Sequence, residues 1–320
     1  MCIVLVSTAH PAYSLIIIDN RDEFLRRPTS LPEWWPEPAS HVLGSRDLAR
    51  ATHGTWMGVT KQGKVAVLTN YREDSCAQAV GVHSRGRIVN SWLTSSPSEG
   101  QTTHSFVQEM VASPEAKQVG GFSLVCGRIN EPLAIVSNRS SDMDQITWVA
   151  AEKNQTRGIS NTSVDDRTWP KILIGENLMQ RAIEDHVKAQ EDEEILLQRL
   201  LGVLSTDTLP RLPEGTNVDT YIPHLRKSIF VPVIGAEDDI NRTAEDVAAA
   251  RVEDEMKQPQ TIGPLDQNYS TGLYGTQRQT IILARPDGRV RYFERTLYDN
   301  DAKAVPVGQG DRSFEFHVEQ

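Results

Sequence analysis

Residues 1–24 read MCIVLVSTAHPAYSLIIIDNRDEF. Two β-rich runs, Cys2–Ser7 and Tyr13–Ile18, are separated by the turn-prone Ala9-His10-Pro11, which predicts a β-hairpin at the start of the chain. The polar run Asn20-Arg21-Asp22-Glu23 follows at the expected exit of the second strand. We therefore expect the hairpin to bring Asp22 close to the amino terminus.

The rest of the pattern combines further hairpins with grouped helices. Glycine-containing turns at 61–63 and 285–288 predict two more hairpins. Helical spacing of apolar residues predicts helices over 87–94, 102–111, 168–188 and 193–204. Such an order of elements is typical of an α+β fold with largely antiparallel sheets. We interpret residues 1–320 as a single domain.

Composition and charge exclude several classes of protein. Hydrophobic residues make up 38% and charged residues 24% of the 320 residues, as in ordinary globular proteins. The formal net charge of −10 argues against a nucleic-acid partner, because an acidic surface repels phosphate. The segment 236–257 is acidic and alanine-rich, and we interpret it as a solvated, flexible insertion, with a partner-binding motif as the alternative.

The amino terminus and the cysteines indicate a cytoplasmic protein. Pro11 interrupts the apolar run from Met1 to Ile18, and no basic residues precede that run, so it predicts neither a signal peptide nor a transmembrane segment. The chain has three cysteines, without the spacing of a metal site. A sparse, odd set of cysteines is typical of a reducing compartment.

Cys2 is the candidate nucleophile. Methionine aminopeptidase removes Met1 when the next residue is small, which would leave Cys2 with a thiol and a free α-amine. An α-amine has a pKa of roughly 7.7 to 8.0, so it can accept the thiol proton near neutral pH. The alternatives are a small, half-buried hydrophobic residue at the start of a strand for Cys2, and a solvated turn or an ion-pair network for 20–23.

Several short stretches resemble one known family. In chain order they are Met1-Cys2-Ile3, Asn20-Arg21-Asp22-Glu23-Phe24 with Arg27-Pro28, Gly54-Thr55-Trp56-Met57-Gly58, Leu68-Thr69-Asn70-Tyr71, Ser84-Arg85-Gly86, Gly158-Ile159-Ser160-Asn161, Thr168-Trp169-Pro170-Lys171 and Tyr274-Gly275-Thr276-Gln277-Arg278. Together they resemble the NRDE family, also called the transport and Golgi organisation protein 2 family. The resemblance covers nearly the whole chain, except the acidic segment.

A more distant resemblance is to the choloylglycine hydrolases and other N-terminal-nucleophile enzymes. It implies a four-layer αββα sandwich with Cys2 as nucleophile. It further implies that Asp22 holds the α-amine, that Arg278 lies near the thiol, and that Asn70 and Asn161 polarise a carbonyl. Those hydrolases carry an arginine shortly before the aspartate, whereas Arg21 here adjoins Asp22 and should face the opposite side of the strand.

Two hypotheses of function follow. The first is an amide, ester or thioester hydrolase or acyltransferase that works through Cys2. The second is a non-enzymatic factor, because the resemblance implies roles in secretion, Golgi organisation, lipid homeostasis and haem trafficking, with association with Golgi or mitochondria. The sequence requires no cofactor and predicts no metal site. A small-molecule, acyl or haem ligand is compatible with it, with haem as transported cargo.

Overall fold

A computed structural model describes residues 1–71, 85–95, 100–114, 116, 117, 119–236 and 272–319. The described strands are β1 Ile3–Ser7, β2 Leu15–Phe24, β3 Glu33–Trp34, β4 Val42–Gly44, β5 Met57–Thr60, β6 Lys64–Asn70, β7 Phe122–Arg128, β8 Leu133–Ser137, β9 Thr147–Val149, β10 Thr156–Ser160, β11 Tyr274–Ala284, β12 Arg289–Thr296 and β13 Asp311–His317. The described α-helices are α1 Gly86–Thr94, α2 Thr103–Ala112, α3 Pro170–Ala189, α4 Glu193–Leu204 and α5 Val218–Tyr221.

These strands form two antiparallel sheets. The first has six strands in the order β10-β1-β2-β11-β12-β13, and the second has seven in the order β3 to β9. In the first sheet, β1 and β2 form the amino-terminal hairpin, with Leu5 opposite Ile18. Because β2 also pairs with β11, the hairpin lies inside the sheet and its strands have neighbours on both edges.

Both faces of the amino-terminal hairpin are buried, which explains its continuous apolar sequence. Val4, Val6 and Ile17 belong to a cluster shared with the seven-stranded sheet. Their neighbours along the strands, such as Leu5 and Ile18, pack into a second cluster with α3 and α4. Alternation along each strand thus divides its side chains between the two interfaces.

Helices cover the outer face of each sheet. On the seven-stranded sheet, Trp92 of α1 and Phe106 of α2 pack against Leu68 and Leu124. On the six-stranded sheet, α3 and α4 pack against β1, β2 and β11. The predicted α+β class and four-layer αββα sandwich with antiparallel sheets are confirmed.

Helix α3 lies unusually close to β1 and β10. A Cβ atom placed on Gly158 of β10 would lie 2.9 Å from Leu5 Cδ2, and one on Gly175 of α3 would lie 3.1 Å from the same side chain. Pro170 begins the helix, where its missing N–H costs nothing. This close approach fixes the first turn of α3, which contains the fully buried Lys171, against the start of β1.

Most sequence-predicted elements are present, with two corrections. The run 20–23 does not follow the second strand but lies inside β2, because β11 pairs with β2 as far as Phe24. Strand β10 was not predicted, because its short sequence has no hairpin partner next to it in the chain. The acidic segment lies outside the described residues apart from Ala236, so its interpretation as an insertion in a single domain stays a prediction.

None of the described helices combines the length and apolar character that crossing a membrane requires.

The interface between α4 and the six-stranded sheet should contribute strongly to stability. Leu201 is 2% exposed, whereas Ile195 on the same helix is 42% exposed. We expect Leu201→Ala to lower the free energy of unfolding by about 2–5 kcal/mol, because it removes buried methyl groups and leaves a cavity. The matched change Ile195→Ala should stay within about 0.5 kcal/mol of the parent. Urea denaturation measures both, and equal losses would contradict the packing described.

Candidate active site

The register of the six-stranded sheet brings Cys2 between two polar residues. Ile3 of β1 pairs with the last residue of β10 on one side and with Asn20 of β2 on the other. Because both pairings are antiparallel, continuing them by one residue places Cys2 opposite Asn161 on one side and Arg21 on the other. Arg21 and Asn161, which are about 20 and 160 positions from Cys2 in the chain, thus lie beside it in one row at the end of the six-stranded sheet.

The backbone of Met1 is held at the same place by three buried groups. Its ammonium lies 3.4 Å from Asp22 Oδ2 and donates a hydrogen bond to Tyr274 Oη. The Met1 carbonyl oxygen accepts a hydrogen bond from Lys171 Nζ at 2.5 Å. The side chain of Met1 packs against an apolar cluster that includes Val231. The start of the chain is therefore attached to the core.

The Asp22 carboxylate is fixed from the neighbouring strand. Thr276 Oγ1 donates to Asp22 Oδ1 at 2.7 Å, and the same hydroxyl accepts from the backbone N–H of Val231 at 2.9 Å. The Asp22 carbonyl oxygen accepts from Cys2 Sγ at 3.7 Å and from Tyr274 Oη at 3.1 Å. Asp22 consequently contacts both the terminal ammonium and the thiol.

Burial controls the protonation of the thiol. It raises the pKa of Cys2 to about 11, although the nearby ammonium of Met1 acts in the opposite direction. Burial also lowers the pKa of the Met1 ammonium, against the influence of Asp22. With Met1 in place, Cys2 is a protonated thiol at neutral pH, and no free amine is bonded to its own Cα.

The other three residues of the 20–23 run have separate contacts. Asn20 Nδ2 donates to the backbone oxygens of Leu204 and Ile229 at 2.7 and 2.9 Å, which ties β2 to the end of α4. The Arg21 guanidinium lies 4.2 Å from the centre of the Trp56 ring, on the opposite face of β2 from Asp22. Glu23 is half-buried and lies 3.9 Å from Arg27 Nε. Among the four, Asp22 is the residue in contact with the chain end.

Arg278, the arginine expected near the thiol, lies one strand further away than Arg21. It pairs with Arg21 across β2 and β11, so Arg21 separates it from Cys2 in the row. Its Nη1 lies 3.7 Å from Glu294 Oε1 and donates to Thr296 Oγ1. Its role in catalysis stays a prediction, and Arg21 is the arginine nearer to Cys2 in register.

The two asparagines come from different sheets and approach the same end of the molecule. Asn161 is 6% exposed, and its Oδ1 has no partner among the described residues. Asn70 ends β6 of the second sheet and is half-buried. The preceding residue, Thr69, donates through Oγ1 to the carbonyl oxygen of Ser160 at 3.0 Å, which joins β6 to β10 beside Asn161.

Three buried polar residues near Cys2 were missed as site residues from the sequence. Lys171 is completely buried, and burial lowers the pKa of its ammonium. Burial raises the pKa of Tyr274 well above its usual value. Asp19 is 1% exposed, its Oδ2 has no partner within the described part of the chain, and burial raises its pKa. Lys171 and Tyr274 lie in stretches that resemble the family. That resemblance is the feature of the sequence that could have identified them as site residues.

No group of three or more His, Cys, Asp or Glu side chains in the described ranges is arranged to hold a metal ion.

The model of one protein family, described as Transport and Golgi organisation 2, matches residues 1–299. The chain belongs to the Transport and Golgi organisation 2 family. The human protein named Transport and Golgi organization protein 2 homolog is 27% identical over 319 residues, covering 96% of this chain and 94% of the human protein. The predicted membership of the NRDE family is confirmed.

Solved structures with a similar course of the chain were also found. One is an N-acylethanolamine-hydrolyzing acid amidase ortholog from Caenorhabditis elegans, with TM-score 0.42 and 12% identity over 71% of this chain and 98% of that protein. Another is a mutant conjugated bile acid hydrolase from Clostridium perfringens, with TM-score 0.37 and 12% identity over 99% of this chain and 98% of that protein. At these values we infer no activity from either structure.

The buried thiol predicts a distinctive pH dependence in protein that retains Met1. Because its pKa is about 11, thiolate is scarce at pH 8, and we expect the rate of reaction of Cys2 with iodoacetamide to rise about tenfold per pH unit between pH 8 and 10. Mass spectrometry of the Cys2 peptide measures this rate. An unstructured peptide with one cysteine, whose thiol has an ordinary pKa near 8.5, should begin to level off within the same range. A plateau below pH 9 at Cys2 would contradict the expected burial.

Proposed function

We propose that, once Met1 is removed, this member of the Transport and Golgi organisation 2 family is an N-terminal-nucleophile hydrolase or acyltransferase acting on amides, esters or thioesters through Cys2. The observation that supports this most strongly is the pair of contacts made by Asp22. Its carboxylate lies beside the terminal ammonium, and its carbonyl oxygen accepts from the Cys2 thiol. The ammonium in this contact belongs to Met1, and the proposal requires Asp22 to hold the Cys2 amine in the same way once Met1 is removed.

Removal of Met1 converts the nitrogen of Cys2 from an amide into an amine. An amide nitrogen cannot accept a proton at neutral pH, whereas an α-amine can. In the proposed reaction the thiol proton moves to this amine as sulfur bonds to the acyl carbon. The leaving group then departs with a proton from the resulting ammonium, and water or another acceptor cleaves the thioester. Asp22 stabilises the ammonium form between these steps.

The tetrahedral intermediate carries a negative oxygen that needs hydrogen-bond donors. Asn161 and Asn70 are proposed for this role. Asn161 adjoins Cys2 in register, and its side-chain amide is buried, so water competes little with a bound ligand. A single donor of this kind commonly contributes about 2.7–4 kcal/mol to lowering the barrier.

Removal of Met1 should determine how fast Cys2 is acylated. We expect protein lacking Met1 to form an acyl adduct at Cys2 with S-phenyl thiohexanoate, as the thioester or as the amide that the thioester gives by transfer to the adjacent α-amine. Protein retaining Met1 should react at least about 100-fold more slowly because it has no α-amine base. Intact mass and peptide mapping measure the adduct. Cys2→Ala is the matched negative control, since alanine also permits removal of Met1. Acylation of the buried Cys126, or of Cys76, in preference to Cys2 would contradict the proposal.

The proposal also requires that Met1 is removed in the cell that makes the protein. Intact mass of the protein purified from its native host should correspond to a chain that starts at Cys2. Complete retention of Met1 there would overturn the enzymatic function.

Asn161 should matter for acyl transfer more than for folding. We expect Asn161→Ala to slow acylation of Cys2 by about 100- to 1,000-fold, because the oxyanion loses a donor. Asn177→Ala, at an exposed position on α3, is the matched control and should react like the parent. Both rates are read from thioester formation under single-turnover conditions. An unchanged rate in Asn161→Ala would exclude this residue from the site.

The roles in secretion, Golgi organisation, lipid homeostasis and haem trafficking remain predictions of the family resemblance. The same holds for a cytoplasmic location, for association with Golgi or mitochondria, and for haem as cargo. A haemin titration followed by absorbance tests the last of these. An unchanged Soret spectrum on adding protein would count against it.

A further inference from the structure

Lys171 is a buried cation whose hydrogen-bond partner is the residue that processing removes. Its side chain is fully buried in the first turn of α3, close to β1. Within the described residues, its side chain donates a hydrogen bond to the Met1 carbonyl oxygen at 2.5 Å. When Met1 leaves, this ammonium keeps its position but loses that oxygen.

The space that Met1 vacates adjoins the thiol. Tyr274 Oη accepts a hydrogen bond from the Met1 amine and donates to the Asp22 carbonyl oxygen, which also accepts from Cys2 Sγ. Beyond the Met1 backbone lies the apolar cluster against which its side chain packs. The space that Met1 leaves thus begins at the Cys2 nitrogen and is bounded by Tyr274 Oη, Lys171 Nζ and this apolar cluster.

We propose that Lys171 binds the acyl carbonyl oxygen of the substrate in the mature protein, with the acyl chain in the space left by Met1. This inference rests on the proposed function of Cys2 and adds a catalytic residue and an acyl site to it. The Met1 carbonyl in the unprocessed chain marks where that oxygen binds. An apolar, unbranched acyl group of about the size of methionine fits the same surroundings.

The charge of Lys171 suits an oxygen that becomes negative. Loss of Met1 removes the oxygen that accepts the hydrogen bond of Lys171, and an incoming carbonyl oxygen replaces it. As sulfur bonds to the acyl carbon, the π electrons of the carbonyl move to this oxygen, and a cation stabilises the resulting oxyanion more than the neutral carbonyl. When the oxyanion collapses, the bond to the leaving group breaks and the thioester remains. Asp22 and Asp19 are the nearby acids that favour the charged form of Lys171.

Comparing two reactions of Cys2 separates this role from a structural one. Acylation by S-phenyl thiohexanoate passes through an oxyanion, whereas alkylation by iodoacetamide does not. In protein lacking Met1, we expect Lys171→Met to slow acylation about 100-fold or more. The alkylation rate, extrapolated to full ionisation of the thiol from its pH profile, should change less than about threefold. Lys171→Arg, which keeps the charge, should recover at least a tenth of the parent acylation rate.

Control variants separate a direct role of Lys171 from a loss of folding and from a failure of the proposed function of Cys2. Lys188→Met, at an exposed position in the last turn of α3, should match the parent in both reactions. Urea denaturation reports whether each variant folds, and if Lys171→Met does not fold, Lys171→Gln replaces it. Equal losses in acylation and alkylation, or no loss in either, would overturn the role of Lys171 while leaving Cys2 as nucleophile. Alkylation without any acylation of the parent would overturn the proposed function itself.

Discussion

The buried carboxylate of Asp22 determines where the first residues of the chain lie. A carboxylate that is removed from water needs hydrogen bonds and a positive partner. Thr276 supplies the hydrogen bond from β11, and the terminal ammonium supplies the charge. The beginning of the chain is therefore drawn into the sheet, beside β2. The positions of Cys2, Lys171 and Tyr274 all follow from this single arrangement, because each contacts either Asp22 or Met1.

Some buried polar atoms without partners lie near the thiol. Within the described residues, buried side-chain atoms that lack a hydrogen-bond partner include Asp19 Oδ2, Asn161 Oδ1 and Arg278 Nε. Asn161 and Arg278 lie in the row that contains Cys2, and Asp19 lies opposite Val4, two residues along β1 from Cys2. Buried polar groups are normally satisfied, so such exceptions call for a ligand or bound water. Unpartnered polar atoms of this kind are costly for folding and are available to a polar ligand.

Sequence reasoning was most successful where structure is local. The bounds of α4 were predicted as Glu193–Leu204, which the structure reproduces, because apolar periodicity and an aspartate at the amino-terminal cap are both visible in sequence. The first hairpin was predicted, but the continuation of β2 through 20–23 depends on β11, about 250 residues away. The proximity of Asp22 to the chain end followed from the hairpin alone. The contacts of Lys171 and the order of Arg21 and Arg278 could not be predicted, because they depend on pairings between distant strands and on how closely α3 packs.

The burial of the Met1 amine limits where a label can be attached to this protein. A purification tag, fluorescent reporter or fusion partner joined ahead of Met1 replaces that amine by an amide and must thread out past Asp22 and Tyr274. The opposite end of the chain lies elsewhere: the backbone N–H of Val318 donates to the carbonyl oxygen of Gly288, at the turn between β11 and β12. That turn is at the far end of β11 from Tyr274. A label at the carboxyl-terminal side therefore avoids these contacts, whereas a label at the amino terminus would itself lie beside Asp22 and Tyr274.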